Sequence, residues 1–287
     1  MSGVRNPNVP ESLDGWSILH RMFAFNRRRY EALDASNRTR IAAEAVEFFG
    51  PLHEDPESDV GLAQLLGHKA DLMLTFYARS FDALGDAEIA FDRTALRDYL
   101  EPQGSYVSIL ELGLYDATRK IHEALHEHGL KPHSADWNVA FDALLREEAQ
   151  EPRSAARLWA KIPARRYVCF YPMDKKRGEQ TNWYSLPYNE RAELMLDHGK
   201  IGRTFHGLVT QVISGSIGFD DWEWGVDLYA DDPLIFKKLI YEMRFDEASA
   251  KYAAFGPFYT GMQFSIDALP AFLEGHERAA LLTHIHV

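Results

Sequence analysis

Apolar and polar positions fall along this chain in two series that share one order. The first opens with an apolar, strand-like segment at 15–26. An Ala- and Glu-rich helical stretch follows at about 37–49 and is expected to stop at Gly50-Pro51. Strand material at 61–78 surrounds a turn at 67–71, a helix is predicted over about 81–99, and a strand at 106–114 ends the series. Residues 116–160 are different, being polar, His-rich and mainly helical. The order then begins again with a strand at 167–173, a helix at about 187–198 and a strand pair at 208–214 and 223–229. A helix at about 233–243 and a last strand near 257–266 complete it. Each series reads β-α-β-β-α-β. The segment Asp71-Leu-Met-Leu-Thr-Phe-Tyr-Ala-Arg also resembles Glu223-Trp-Gly-Val-Asp-Leu-Tyr-Ala-Asp, and each precedes a helix. The expected fold class is α+β: two ferredoxin-like βαββαβ units in one chain, with antiparallel sheets, of the dimeric α/β-barrel type. The expected boundaries are a loose N-terminal arm at 1–14, a first domain at 15–115, a helical insertion or linker at 116–160 and a second domain at 161–287.

The strand at 166–177 (Arg-Tyr-Val-Cys-Phe-Tyr-Pro-Met-Asp-Lys-Lys-Arg) runs without a break into three cations. Alternation puts Tyr171, Met173 and Lys175 on one face. That row suits a flat, anionic, redox-active molecule. It equally suits an edge strand guarded by lysines, and the pattern alone leaves both readings open.

Composition narrows the field. The 287 residues are 46% hydrophobic and 26% charged, which is globular, and 17 Phe, 13 Tyr and 6 Trp suit a large core or an aromatic-lined cavity. A net charge of −12 argues against a nucleic-acid partner and against acidic membrane surfaces. Cys169 is the only cysteine, so neither an intrachain disulfide nor a cysteine metal cage is available. No apolar run approaches the ~20 residues that span a bilayer, and the first residues lack the apolar core of a signal peptide. A cytoplasmic location is expected.

Four places carry candidate chemistry. His122-Glu-Ala-Leu-His126 is a literal H-E-x-x-H, the helix pattern of a zinc protease. The third ligand of the extended pattern would fall on Pro132, with His133 one residue late, and the surrounding charges suit a solvated helix. His198 follows the apolar pair Leu194/Met195 by four and three residues and faces inward, with Gly199 read as the C′ cap. With no second histidine nearby it is a single axial ligand to an iron porphyrin or a hydrogen-bonded core residue. Gln211 lies between Val209 and Ile213 on one strand face and must find partners or a ligand. Arg244, after an apolar helix, and Ser249 raise the same question.

In order along the chain stand Tyr171-Pro-Met-Asp-Lys-Lys-Arg, Asn182-Trp-Tyr, His198-Gly, Val209-Thr-Gln-Val-Ile-Ser-Gly-Ser, Gly218-Phe-Asp-Asp-Trp-Glu-Trp-Gly-Val and Tyr241-Glu-Met-Arg-Phe-Asp-Glu-Ala-Ser. Together they resemble the chlorite dismutase-like superfamily, specifically its coproheme decarboxylase branch of the Firmicutes type. The likeness covers about 130 residues from Arg157 onward and is weaker over 15–115. The 116–155 region looks longer than is usual for the family.

The resemblance implies that the second domain binds porphyrin, with His198 as the iron ligand and Tyr171 as a redox-active tyrosine beside the reactive propionate. Lys175 would sit by a second propionate, and Arg157, Met173, Arg244 and Ser249 would line the ring or grip propionates. Gln211 falls where chlorite dismutases carry a distal arginine, and a neutral amide there favours the decarboxylase. Glu242 is the carboxylate expected behind His198. The implied reaction is peroxide-dependent oxidative decarboxylation of iron coproporphyrin III (coproheme) to haem b, in haem biosynthesis. Peroxide would oxidise the iron, and a Tyr171 radical would take a hydrogen from the propionate β-carbon, twice. The alternatives are a chlorite dismutase-like or peroxidase-like haem enzyme, or a non-enzymatic haem carrier. A homo-oligomer, as a pentameric ring, and a transient contact with the iron-inserting ferrochelatase are further implications, without membrane insertion.

Overall fold

The computed structural model describes residues 9–113, 115–132 and 134–275, so most of the expected arm and His133 lie outside the described residues. The first series folds as β1 (Ser12–Phe25), a short α1 (Arg27–Glu31), α2 (Ala35–Glu54), β2 (Ser58–Leu65), β3 (Leu72–Ala78), α3 (Phe81–Asp92) and β4 (Leu100–Gly113). Three helices follow, α4 (Tyr115–Glu127), α5 (Ala135–Gln150) and α6 (Pro152–Leu158). The second series is β5 (Tyr167–Lys175), α7 (Tyr188–Thr204), β6 (Thr210–Gly215), β7 (Trp224–Ala230) and α8 (Leu234–Met243). It ends with α9 (Glu247–Tyr252), β8 (Ala253–Phe255), β9 (Tyr259–Phe264) and α10 (Leu269–Glu274).

Each series builds an antiparallel four-stranded sheet of the same order, β4-β1-β3-β2 in the first and β9-β5-β7-β6 in the second. The two self-similar segments fall on the equivalent strands β3 and β7. Pairing of β4 with β6 and of β2 with β9 joins the sheets edge to edge, closing an eight-stranded barrel with β8 attached to the end of β5. Closure removes the free edges that each four-stranded sheet alone would present. The expected α+β fold of two ferredoxin-like units is therefore what the chain forms.

Alternation along the strands divides the side chains between the barrel interior and two outer faces. Phe23, Phe49, Phe76 and Phe91 pack the first sheet against α2 and α3. On the second, Tyr171, Val226 and Leu228 pack against Phe236, Leu239 and Met243 of α8. Inside the barrel His20 stacks on Phe170, with ring centroids 4.1 Å apart, and its Nε2 lies 3.1 Å from both carboxylate oxygens of Asp227.

Several boundaries differ from expectation. β1 begins at Ser12, inside the expected arm, because it pairs with β4 from there. α2 does not stop at Gly50-Pro51: proline removes one N–H near the helix end, yet Asp55 N–H still bonds the Pro51 carbonyl. α3 ends at Asp92, and a 3-10 turn at Ala95–Tyr99 fills the rest of the expected helix. α7 runs through Gly199 to Thr204, so Gly199 is mid-helix and not a C′ cap. The short α9 and β8 between α8 and β9 were not expected.

Candidate active site

The edge-strand reading of 166–177 is overturned, since β5 is flanked by β7 and β9 and is interior to the sheet. Its odd-numbered residues Tyr171, Met173 and Lys175 line one cavity of about 1680 Å3. The same cavity is lined by Arg157, His198, Gln211 and Ser249, so seven of the eight expected residues share it. Arg244 does not line it. It caps α8 at the surface and stacks its guanidinium 3.9 Å from the ring of Phe255, which does.

His198 projects from α7 with its imidazole 27% exposed. Its Nδ1 lies 3.1 Å from Asp246 Oδ2 and 3.4 Å from Ser249 Oγ. With Nδ1 engaged, Nε2 is the ring nitrogen left to meet a ligand, and the carboxylate behind the ring raises its basicity. The carboxylate is Asp246, not the expected Glu242, which is exposed on α8. Asp246 is the N-cap of α9: Oδ1 accepts the Ser249 N–H at 3.0 Å, which frees Oδ2 for His198. Burial would raise the Asp246 carboxyl, but the His198 contact and the Ser249 bonds outweigh it and hold it below the usual range. Ser249 thus lines the cavity and also stands behind the histidine. The signal for Asp246 was its place three residues before Ser249 as a helix cap.

Tyr171 is buried in the sheet wall, stacked on Phe258 at 4.5 Å, and burial pushes its phenol far above the ordinary value. Arg244 opposes that shift, while Cys169 and Asp227 add to it. Lys175 is also buried, with its ammonium 4.3 Å over the Trp183 ring. Burial pushes its pKa down to about 8, against the pull of Asp246 and Glu223. Glu223 anchors this end of β5, accepting the Lys175 backbone N–H at 3.0 Å and the Tyr184 hydroxyl at 2.7 Å. Gln211 is half-buried on β6 beside Gly202 of α7. Lys176 and Arg177 are exposed.

The H-E-x-x-H helix α4 borders the same cavity, through His122, Glu123 and His126. His122 packs edge-on against Trp137 and Phe141 of α5, at 5.3 and 5.4 Å, in a small helical core. Among the described residues, no three His, Cys, Asp or Glu side chains converge on a metal site, and no helix is long and apolar enough to cross a membrane.

The cavity is therefore a mostly apolar chamber with the His198 imidazole, the buried Tyr171 phenol and the buried Lys175 amine on its walls. Among known proteins, the chlorite dismutase family model matches residues 38–264. A coproheme decarboxylase of Staphylococcus saprophyticus is 40% identical over 258 residues, covering 89% of this chain and 94% of that one. A coproheme decarboxylase of Thermus thermophilus is 40% identical over 270 residues, covering 93% and 97%. A solved structure of a heme-binding protein from Thermus thermophilus superposes with a TM-score of 0.79 at 39% identity, covering 94% of this chain and 99% of that one. A chlorite dismutase from Candidatus Nitrospira defluvii shares the fold, with a TM-score of 0.68 at 18% identity over 91% and 97%.

Proposed function

The chain belongs to the chlorite dismutase family, and from that premise we propose that it is a coproheme decarboxylase. It converts iron coproporphyrin III to haem b with hydrogen peroxide as oxidant, in the cytoplasm, and assembles as a homo-oligomeric ring. The observation that carries the reading is the joint placement of His198, Tyr171 and Lys175 on one cavity. Relatives with the decarboxylase activity in their names, at 40% identity over most of the chain, support it.

The substrate's iron supplies the redox chemistry once peroxide is present. The chain supplies position and protons. His198, oriented by Asp246 and Ser249, holds the iron through Nε2. Tyr171 passes an electron and proton out of its phenol and recovers a hydrogen atom from the propionate β-carbon. Its high pKa keeps the phenol protonated between cycles. Each propionate yields a vinyl group, CO2, one proton and two electrons, and peroxide takes two electrons and two protons to become two waters. One proton per propionate must therefore come from outside the pair. Lys175, with a pKa near 8, both binds a carboxylate and releases a proton at neutral pH. Gln211 offers a neutral amide and no charge, which separates this cavity from one built to turn over chlorite. The first and second series each supply one sheet, and the second carries most of the porphyrin contacts.

Tyr171→Phe is the direct test. The variant should bind ferric coproporphyrin III with wild-type affinity and lose at least about 100-fold in the first decarboxylation. A first decarboxylation at the wild-type rate would remove Tyr171 from the mechanism.

A further inference from the structure

Several carboxyls that the mechanism above does not use line the cavity, and one of them, Glu111, sits on the sheet itself. Glu111 lies near the end of β4, in the first series, yet lines the cavity of the second. β4 pairs Ile109 with Gly215 and Leu110 with Ser214, so the next step of the ladder sets Glu111 beside Ile213. Ile213 pairs with Val226, and Val226 with Tyr171. Glu111 and Tyr171 thus stand at opposite ends of one row, about 14 Å apart at the usual strand spacing.

The local packing holds Glu111 there. Its Oε1 accepts the indole N–H of Trp224 at 3.0 Å. A Cβ on Gly215 would run into Oε2, so the carboxyl in this position rests over the glycine. Among the described residues, Oε2 has no hydrogen bond and no cation pairs with Glu111. The groups facing it are Trp224 from β7, Tyr115 from α4 and its register partner Asp14 on β1, a second carboxyl. Burial, with Asp14, raises its pKa against the Trp224 bond.

Resting on the function proposed above, we propose that Glu111 is a substrate-binding residue: as a neutral acid it donates its Oε2 hydrogen to a porphyrin carboxylate at the ring edge opposite Tyr171. A carboxyl without a counter-ion cannot stay ionised beside an anionic ring, whereas the neutral acid gives that carboxylate a strong hydrogen bond. Binding draws a proton onto Glu111 as the pH rises above its own pKa.

The test is calorimetric titration of the ligand-free protein with metal-free coproporphyrin III, from pH 6 to 9, in buffers of different ionisation enthalpy. Proton uptake and affinity are read together, without iron or turnover. The Glu111→Gln amide keeps a donor and cannot ionise. Its affinity relative to the wild type should rise with pH once the wild-type carboxyl ionises, by up to about tenfold per pH unit, toward the alkaline end of the range. It should also take up fewer protons per porphyrin there. The Lys175 contribution near pH 8 is common to both proteins and cancels in the comparison. Infrared difference spectra of the wild-type complex should carry a protonated-carboxyl band that Glu111→Gln lacks. Equal proton uptake and parallel pH profiles would overturn the assignment while leaving the function intact. Failure of both proteins to bind coproporphyrin would overturn the functional reading, and this inference with it.

Discussion

At the scale of single residues, the site is organised by carboxyls that take two partners each. Asp246 caps α9 with one oxygen and holds His198 with the other. Asp246→Asn keeps a capping oxygen and removes the charge behind the imidazole. Ferric porphyrin affinity should fall about 10- to 100-fold, while affinity for the metal-free ring stays within about twofold. Paired binding titrations check this, and equal losses for both ligands would mean a structural role only. Because the Asp246 carboxyl is depressed, its contribution to stability is complete above the ordinary carboxyl range and is lost as pH falls through its lower folded value. Acid unfolding of the Asn variant should lack that component. His198, Tyr171 and Lys175 were legible in the sequence, because inward spacing and strand alternation are local properties. Asp246 was not, because the contact joins residues 48 positions apart. Arg244 is set back from the cavity wall on Phe255, and nothing in the sequence distinguishes a guanidinium that lines a cavity from one that stacks behind its wall.

At the scale of elements, α7 shows how a local stop signal loses to packing. Gly199 after His198 reads as a helix end, yet Ile201 and Phe205, beyond it, pack into the core beneath α8 and carry the helix on. Gly199 is not among the glycines with positive φ, and a Cβ there would meet only the flexible end of Arg203, at 3.4 Å. Gly199→Ala should therefore stabilise the protein by about 0.5–1 kcal/mol, the usual gain for replacing an interior helical glycine. Urea unfolding measures it, and a loss of stability would restore the C′ reading. Pro51 makes the same point in α2, where the hydrogen bond from Asp55 carries the helix past the ring. The elements that escaped the sequence, α9 and β8, are six and three residues long, too short for a periodicity to show.

At the scale of the whole molecule, the repeated β-α-β-β-α-β order was legible because each unit is specified by its own alternation. Closure of the barrel was not, since it depends on β4–β6 and β2–β9 pairing between distant segments. The buried His20–Asp227 pair spans the two series inside that barrel. Asp227→Ala would leave the buried His20 Nε2 without its partner and should cost about 1–3 kcal/mol, with one cooperative transition seen by tryptophan fluorescence and circular dichroism alike. A cost under about 1 kcal/mol would mean the pair does not clamp the halves. The cavity depends on this closure, because β4 of the first series forms part of its wall. The account as a whole is tested most directly by mass spectrometry of the porphyrin after the protein, loaded with ferric coproporphyrin III, receives stepwise hydrogen peroxide. The prediction is two successive losses of CO2, each with two hydrogens, ending at haem b. A ring that stays bound with all four carboxylates intact would contradict it.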